Sequence, residues 1–427
     1  MKKIVFIIIL SFIGFYNVYA KDISYSMNKY DDEIFNYIEK AYDSELKEDG
    51  YVLGGSVLKE KIEKDENTYN DYQVILVKYD KNDKLVWKYV YGNTSEDYID
   101  YLTYAYDDNG NIDGYLVITK KSSNILEDPI GTTNGMVLKI DFDGKLVYEK
   151  EIVEGSIKKI IPTYSDNMVD GYISIMTTQT GSSLVKYDKN LDIVFKKDFN
   201  DTSISDLTII KDNNSIIGYA IIEGNNLVTV DLNGYNDVVI GDISKYTSSN
   251  LGEANNGFML YGLTSEVKLS KGDNSYYLIN YVNGEEYWET IGDTGTTKND
   301  EVVLLPIYKD NQIKEYFLLY KNTDLSYEVV KIDLDGEVLK KIKKISNDYY
   351  IFKNFYSTGN TIYFVGQINC SDDDTCDYDN NSLYLISDED KVIEVKDDAS
   401  RNILIVFSIV LIVLVGGIIF IKKKRKK

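Results

Sequence analysis

The stretch Lys331 to Val338, KIDLDGEV, sets Asp333, Asp335 and Gly336 in the D-x-D-G spacing that begins a calcium loop. Such a loop needs about six to eight oxygens and a chelating Glu at its twelfth position. Counted from Asp333 that position is Lys344; from Asp141 in the sister stretch KIDFDGK it is Ile152. Neither side chain chelates. Asp, Asn and Gly at such a place also give a hairpin its tight turn and positive φ. The expectation is therefore a turn, with no metal ligand assigned.

A second cluster is NCSDDDTCDYD, where Cys370 and Cys376 flank Asp372, Asp373 and Asp374. Outside the cell a close cysteine pair is a candidate disulfide. The acidic loop between them is a candidate for a divalent ion or a basic partner, the plainer reading being a solvated surface. Histidine is absent. That removes imidazole acid–base chemistry, Ser-His and Cys-His nucleophiles, and the commonest zinc ligand. Catalysis would fall to carboxylates, Tyr, Lys or Arg, and no cofactor is implied.

The elements that must hold these residues repeat. Relatives of KIDLDGEV begin at Val77, Leu138, Val185, Val228, Leu278, Val330 and Leu383. Their anchor residues are Asp80, Asp141, Asp188, Asp231, Tyr281, Asp333 and Ser387, at spacings of 61, 47, 43, 50, 52 and 54. Seven residues beyond the first five anchors stand Trp87, Tyr148, Phe195, Val238 and Trp288, which include both tryptophans of the chain. A second landmark precedes the segments: Asp49-Gly50-Tyr51, Asp113-Gly114-Tyr115, Asp170-Gly171-Tyr172, then Gly218-Tyr219 and Gly257-Phe258. Each opens a short run rich in β-branched and aromatic residues. A unit of about 50 residues with four short strands is the signature of a propeller blade.

On these residues the chain resembles the repeat-containing β-propeller proteins of bacterial surfaces, with KYDxxGxxxW-type blade repeats on a PQQ-like or WD40-like superfold. The resemblance covers roughly residues 33–395 and implies architecture; propellers host enzymes, adhesins and scaffolds alike. The expected fold is all-β: a seven-bladed propeller closed by an N-terminal strand, plus one C-terminal transmembrane helix. Tyr37 to Tyr51 matches Tyr101 to Tyr115 without a gap. Taking the Asp-Gly-Tyr landmark as the start of each blade, the N-terminal copy should complete the last blade. Ile34, Ile38, Ala41 and Leu46 also permit a helix over residues 32–46, and the gapless match favours the strand.

Between the landmark strand and the Lys-x-Asp strand the units differ. The connection is long in unit one (Leu58 to Gln73), unit two (Lys120 to Asn134), unit five (Thr264 to Ser275) and unit seven (Ile368 to Asn381). These insertions share one face, and insertions gathered on one face often bind. Neutral loop growth is the competing reading. Tyr69, Tyr72 and Pro129 are the candidate contacts, with Asp372 to Asp374.

The ends suggest where this happens. Residues 1–20 read as a secretory signal peptide. Residues 402–421 are uncharged and apolar, long enough to span a bilayer, and residues 422–427 are all basic. The expectation is a single-pass cell-membrane protein: ectodomain 21–395 outside, a linker 396–401, and a cytoplasmic tail. The first 20 and last 26 residues hold eight of the 47 Lys and Arg and none of the 69 acids, leaving the segment between near −30. Such a field argues against nucleic acid as partner. The sequence points to a non-enzymatic binding, adhesion or scaffold module for an extracellular protein or glycan. The alternative is a carboxylate-based glycan hydrolase or lyase working in the central cavity.

Overall fold

The computed structural model describes residues 23–24 and 33–387, apart from stretches inside that range, the longest being 123–132, 266–274, 294–301 and 369–381. The segments 1–20, 396–401, 402–421 and 422–427 lie outside the described residues. Among the described residues no helix is long and apolar enough to cross a membrane.

Among the described residues all the elements are strands. The chain opens with β1 (Ile23–Ser24). Sheet one follows as β2 (Glu33–Tyr42), β3 (Glu48–Lys64), β4 (Asn67–Tyr79) and β5 (Leu85–Tyr91). Sheet two is β6 (Ile99–Tyr106), β7 (Ile112–Ser122), β8 (Thr133–Ile140) and β9 (Leu146–Ile152). Sheet three is β10 (Ser156–Ser165), β11 (Met168–Thr178), β12 (Gly181–Asp188) and β13 (Ile193–Asn200). Sheet four is β14 (Ile204–Asp212), β15 (Ser215–Glu223), β16 (Asn226–Asp231) and β17 (Asp237–Asp242). Sheet five is β18 (Tyr246–Glu253), β19 (Phe258–Thr264), β20 (Ser275–Val282) and β21 (Glu285–Asp293). Sheet six is β22 (Val303–Lys309), β23 (Gln312–Lys321), β24 (Tyr327–Ile332) and β25 (Val338–Ile345). The last sheet joins β26 (Tyr350–Thr358), β27 (Thr361–Ile368) and β28 (Ser382–Ser387) to β1.

Each sheet is a four-stranded antiparallel meander. The first strands β2, β6, β10, β14, β18, β22 and β26 touch in succession, and β26 returns to β2. The sheets are thus blades around a central channel, which makes the fold a β-propeller. The hydrophobic core is divided into wedges between neighbouring blades. Ile173, Ile175 and Leu184 of sheet three meet Ile209, Tyr219 and Ile221 of sheet four. Val365 of the last sheet packs with Phe35, Leu53 and Ile75 of the first, which closes the ring. Second strands such as Gly171 to Met176 are buried on both faces, which accounts for their unbroken β-branched and aromatic runs.

The expected blade phase is corrected. Tyr37 lies in β2, the first strand of sheet one, where Lys40 pairs with Tyr51 and Ala41 with Gly50. Tyr101 lies in β6, the first strand of sheet two. Blades therefore begin one strand before the Asp-Gly-Tyr landmark, not at it. The match between the two stretches joins equivalent inner strands, and the helix permitted over 32–46 does not form. The last sheet takes its N-terminal strand from farther upstream: Ile23 pairs with Leu383 and Ser24 with Ser382.

Candidate functional site

The motif residues build the frame. In each Lys-x-Asp turn the Asp carboxylate caps its own loop: Asp333 Oδ1 accepts from the N–H of Asp335 (3.0 Å) and of Glu337 (2.8 Å). Asp80, Asp141, Asp188 and Asp231 do the same. KIDLDGEV is thus an Asp-capped hairpin turn. The Lys of the first three motifs reaches the Asp of the landmark, Lys78–Asp49 at 3.3 Å, Lys139–Asp113 at 2.6 Å and Lys186–Asp170 at 3.1 Å, and Lys331 takes Glu315 at 3.1 Å instead. The landmark glycine permits close strand approach; a Cβ on Gly171, at φ +152°, would stand 2.0 Å from the Tyr187 carbonyl oxygen. The aromatic seven residues on stitches neighbouring blades. Trp87 lies under Gly144 of the next blade and donates its indole N–H to the Phe142 carbonyl at 2.8 Å. Trp288 lies likewise under Gly336, whose Cβ would fall 2.5 Å from its ring.

Antiparallel meanders put the first-to-second and third-to-fourth connections on one face of the ring, and the second-to-third connections on the other. The long connections therefore share a face. In sheet one the expected loop Leu58 to Gln73 is instead a β-arm: pairing continues from Val57–Gln73 out to Lys64–Asn67. Tyr69 stands in that arm opposite Ile62. Tyr72 stands opposite Leu58, its ring 5.3 Å from that of Tyr98. Asp71 between them is fully buried, with Lys59 Nζ at 3.7 Å. Pro129, Asp372, Asp373, Asp374, Cys370 and Cys376 lie outside the described residues.

The channel holds groups that the repeat pattern did not single out. Six of the seven inner strands carry a register shift after their first pairs, before Tyr37, Tyr101, Lys159, Asp206, Ser248 and Asn354. Such bulges re-aim side chains. Here equivalent residues of successive blades are brought together: the Tyr37 and Tyr101 rings meet edge-on at 5.8 Å, and Lys159 Nζ lies 2.6 Å from Asp206 Oδ1. Asp206 Oδ2 accepts from the Leu251 N–H at 2.7 Å. Glu253 Oε2 takes Lys211 Nζ at 2.7 Å and the Tyr308 hydroxyl at 2.9 Å. Burial works against the charge of Lys159, but Asp206 more than offsets it and holds the lysine above its usual range. Glu39 is different. Burial pushes its carboxyl up to about 7, the Tyr104 hydroxyl only partly opposing. Tyr101 feels Glu39, Asp206 and Glu253 together, so groups from blades one, four and five converge. Asp206 and Glu253 are committed acceptors in ion pairs, while Glu39 is a carboxyl that keeps its proton near neutrality.

No protein-family model and no curated protein matches the sequence. Among solved structures, the β-propeller domain of the Trilobed protease from Pyrococcus furiosus, described with an open velcro topology, aligns at 10% identity and a TM-score of 0.46, over 86% of this chain and 97% of that one. A putative 6-phosphogluconolactonase from Bacteroides uniformis aligns at 11% identity and TM-score 0.43, over 80% and 97%. A protein of unknown function from Bacteroides caccae aligns at 10% and 0.36, over 67% and 93%. Assignment to the β-propellers rests on the sheet order and the ring of inner strands described above.

Proposed function

We propose that the chain is a membrane-anchored extracellular β-propeller that serves as a non-enzymatic binding or scaffold module for a protein or glycan partner. It engages that partner through the face on which the second-to-third connections open. The observation that carries this reading is the β3–β4 arm. Its ladder runs out to Lys64–Asn67, whereas the equivalent pair of strands in sheet four stops at Glu223–Asn226. An arm ordered this far beyond its blade presents a preformed surface, and Tyr72 supports it from below. The apolar segment 402–421 and the basic residues 422–427 fit an anchor that turns the ring outward.

A second reading is favoured by Glu39. A carboxyl that holds its proton near neutrality is what a general acid requires. A hydrolase would also need a free carboxylate as base or nucleophile. Asp206 and Glu253 are each held by a lysine, which weighs toward binding.

The test is the full chain in nanodiscs, applied to a glycan array and to intact bacterial cells, beside a variant whose residues 58–73 are replaced by a two-residue turn. Binding that disappears with the arm supports the proposal. Turnover of an arrayed glycan that Glu39→Gln abolishes would replace it with the enzymatic reading.

A further inference from the structure

Blades three and four leave a cleft of about 660 Å³ on the face of the tight turns, opposite the arm. Its size falls in the ~300–1,000 Å³ range of small-molecule sites. The repeat explains why it is there. Between blades one and two the equivalent space is filled: Phe142 packs against Tyr42 (6.3 Å) and Tyr115 (6.0 Å), and Trp87 against Tyr115 (6.3 Å). Between blades three and four the Trp87 position is Phe195 and the Phe142 position is Leu232. Both replacements are smaller, and the wedge opens. The turn of blade four is also one residue longer: Asp231 N–H donates to the Asn236 carbonyl, where Asp141 N–H donates to that of Lys145. The extra residue places Tyr235 at the rim, 82% exposed.

The lining has a definite chemistry. Among the described residues its only charged groups are Lys186 and Asp170, and they are paired with each other. Lys186 lies beneath, its Nζ donating to Thr163 Oγ1 (2.6 Å), Asp170 Oδ1 (3.1 Å) and the Tyr187 carbonyl (3.3 Å). Its donors are thereby occupied. Asp170 is the more exposed partner, with a side chain 41% accessible. The bonds from Lys186 and from the Thr163 hydroxyl both land on Oδ1. Oδ2 is used by neither and is left as an acceptor. The remaining walls are the rings of Phe195, which carries Gly234 on one side, Tyr219 and Tyr235, the aliphatic side chains of Val194, Ile216 and Leu232, and neutral polar groups such as Asn233. A charged ligand would find no unmatched partner here. A ligand with an apolar ring face and peripheral hydroxyls would find both a flat aromatic surface and a carboxylate oxygen, whose hydrogen bonds are among the stronger ones.

We propose that the cleft between blades three and four binds a short neutral glycan, one sugar face lying against Phe195 and Tyr235 and one hydroxyl donating to Asp170 Oδ2. This site is separate from the arm face and does not depend on it.

The test uses the full chain in detergent micelles. Saturation-transfer titrations are run with the methyl glycosides of glucose, galactose, mannose, rhamnose, N-acetylglucosamine and N-acetylgalactosamine, and with choline as a cationic probe. The double variant Phe195→Trp, Leu232→Phe restores the residues that fill the wedge between blades one and two, so the fold is kept. At least one glycoside saturates the wild-type chain. Its Kd rises about tenfold or more in the refilled variant and in Tyr235→Ala, and stays unchanged in Glu45→Gln, an exposed position of blade one. The proposal is overturned if no glycoside saturates, if choline alone does, or if the refilled variant or Tyr235→Ala binds as well as wild type.

Discussion

The stitch between blades one and two offers a quantitative test through Trp87 and Gly144. Trp87 is half-buried, with its ring beside Tyr115 and its N–H on the Phe142 carbonyl. Truncating a fully buried Trp costs about 3–5 kcal/mol, so Trp87→Ala should cost about 3 at this exposure. Gly144 sits at φ +80°, and its Cβ would lie 2.6 Å from the indole. Gly144→Ala should then cost about 1 kcal/mol for the left-handed backbone and a further ~1–3 for overpacking against a ring that its hydrogen bond holds in place. In the Trp87→Ala background the overpacking disappears and only the backbone cost remains. Urea unfolding of the four chains, followed by far-UV circular dichroism, should give a coupling of about 1–3 kcal/mol between the two sites. Equal costs of Gly144→Ala in both backgrounds would refute the stitch and leave the glycine as a turn residue only.

Other outcomes follow from the same geometry. Burial raises Glu39 from 4.5 to about 7, so the folded chain holds a proton that the unfolded chain releases. The stability associated with this group is therefore highest below about 4.5 and falls as pH rises to about 7. Glu39→Gln should raise the Tm at pH 8 but hardly at pH 5, by the equivalent of up to about 3 kcal/mol; a gain independent of pH would contradict this. Since Asp333 and its counterparts cap their own turns, millimolar calcium should leave the Tm unchanged, and a rise of several degrees would show that the turns chelate. Deleting residues 33–42 should remove the inner strand of blade one and abolish cooperative unfolding. Deleting residues 21–24 should instead lower the Tm while leaving a folded ring; size-exclusion chromatography and melting curves distinguish the two.

Much of this architecture was legible because the informative residues answer to local demands. Asp caps a turn two and four residues on, and glycine must sit where a neighbouring carbonyl comes within reach of a Cβ. Both demands recur together in units one to four, and one of the two persists in units five and six, so their spacing counts the blades. Unit five departs for a physical reason: Asn283 and Gly284, at φ +55° and +80°, make a two-residue hairpin between Val282 and Glu285, and such a turn has no loop for an Asp to cap. The blade phase was not legible, since four similar strands look alike until it is known which of them lines the channel. The bulges before Lys159 and Asp206 leave no sequence signal, so the groups that converge in the channel went unassigned. The cleft did leave one, in the change from Trp87 to Phe195, but its meaning needed the facing Phe142 and Leu232, which lie on the next blade.

The most direct test of the functional account is binding of the full chain in nanodiscs to intact bacterial cells and arrayed glycans, with and without the 58–73 arm. The account predicts that the trimmed chain keeps its far-UV spectrum and its melting transition but loses partner binding. Binding that survives removal of the arm undiminished would contradict it.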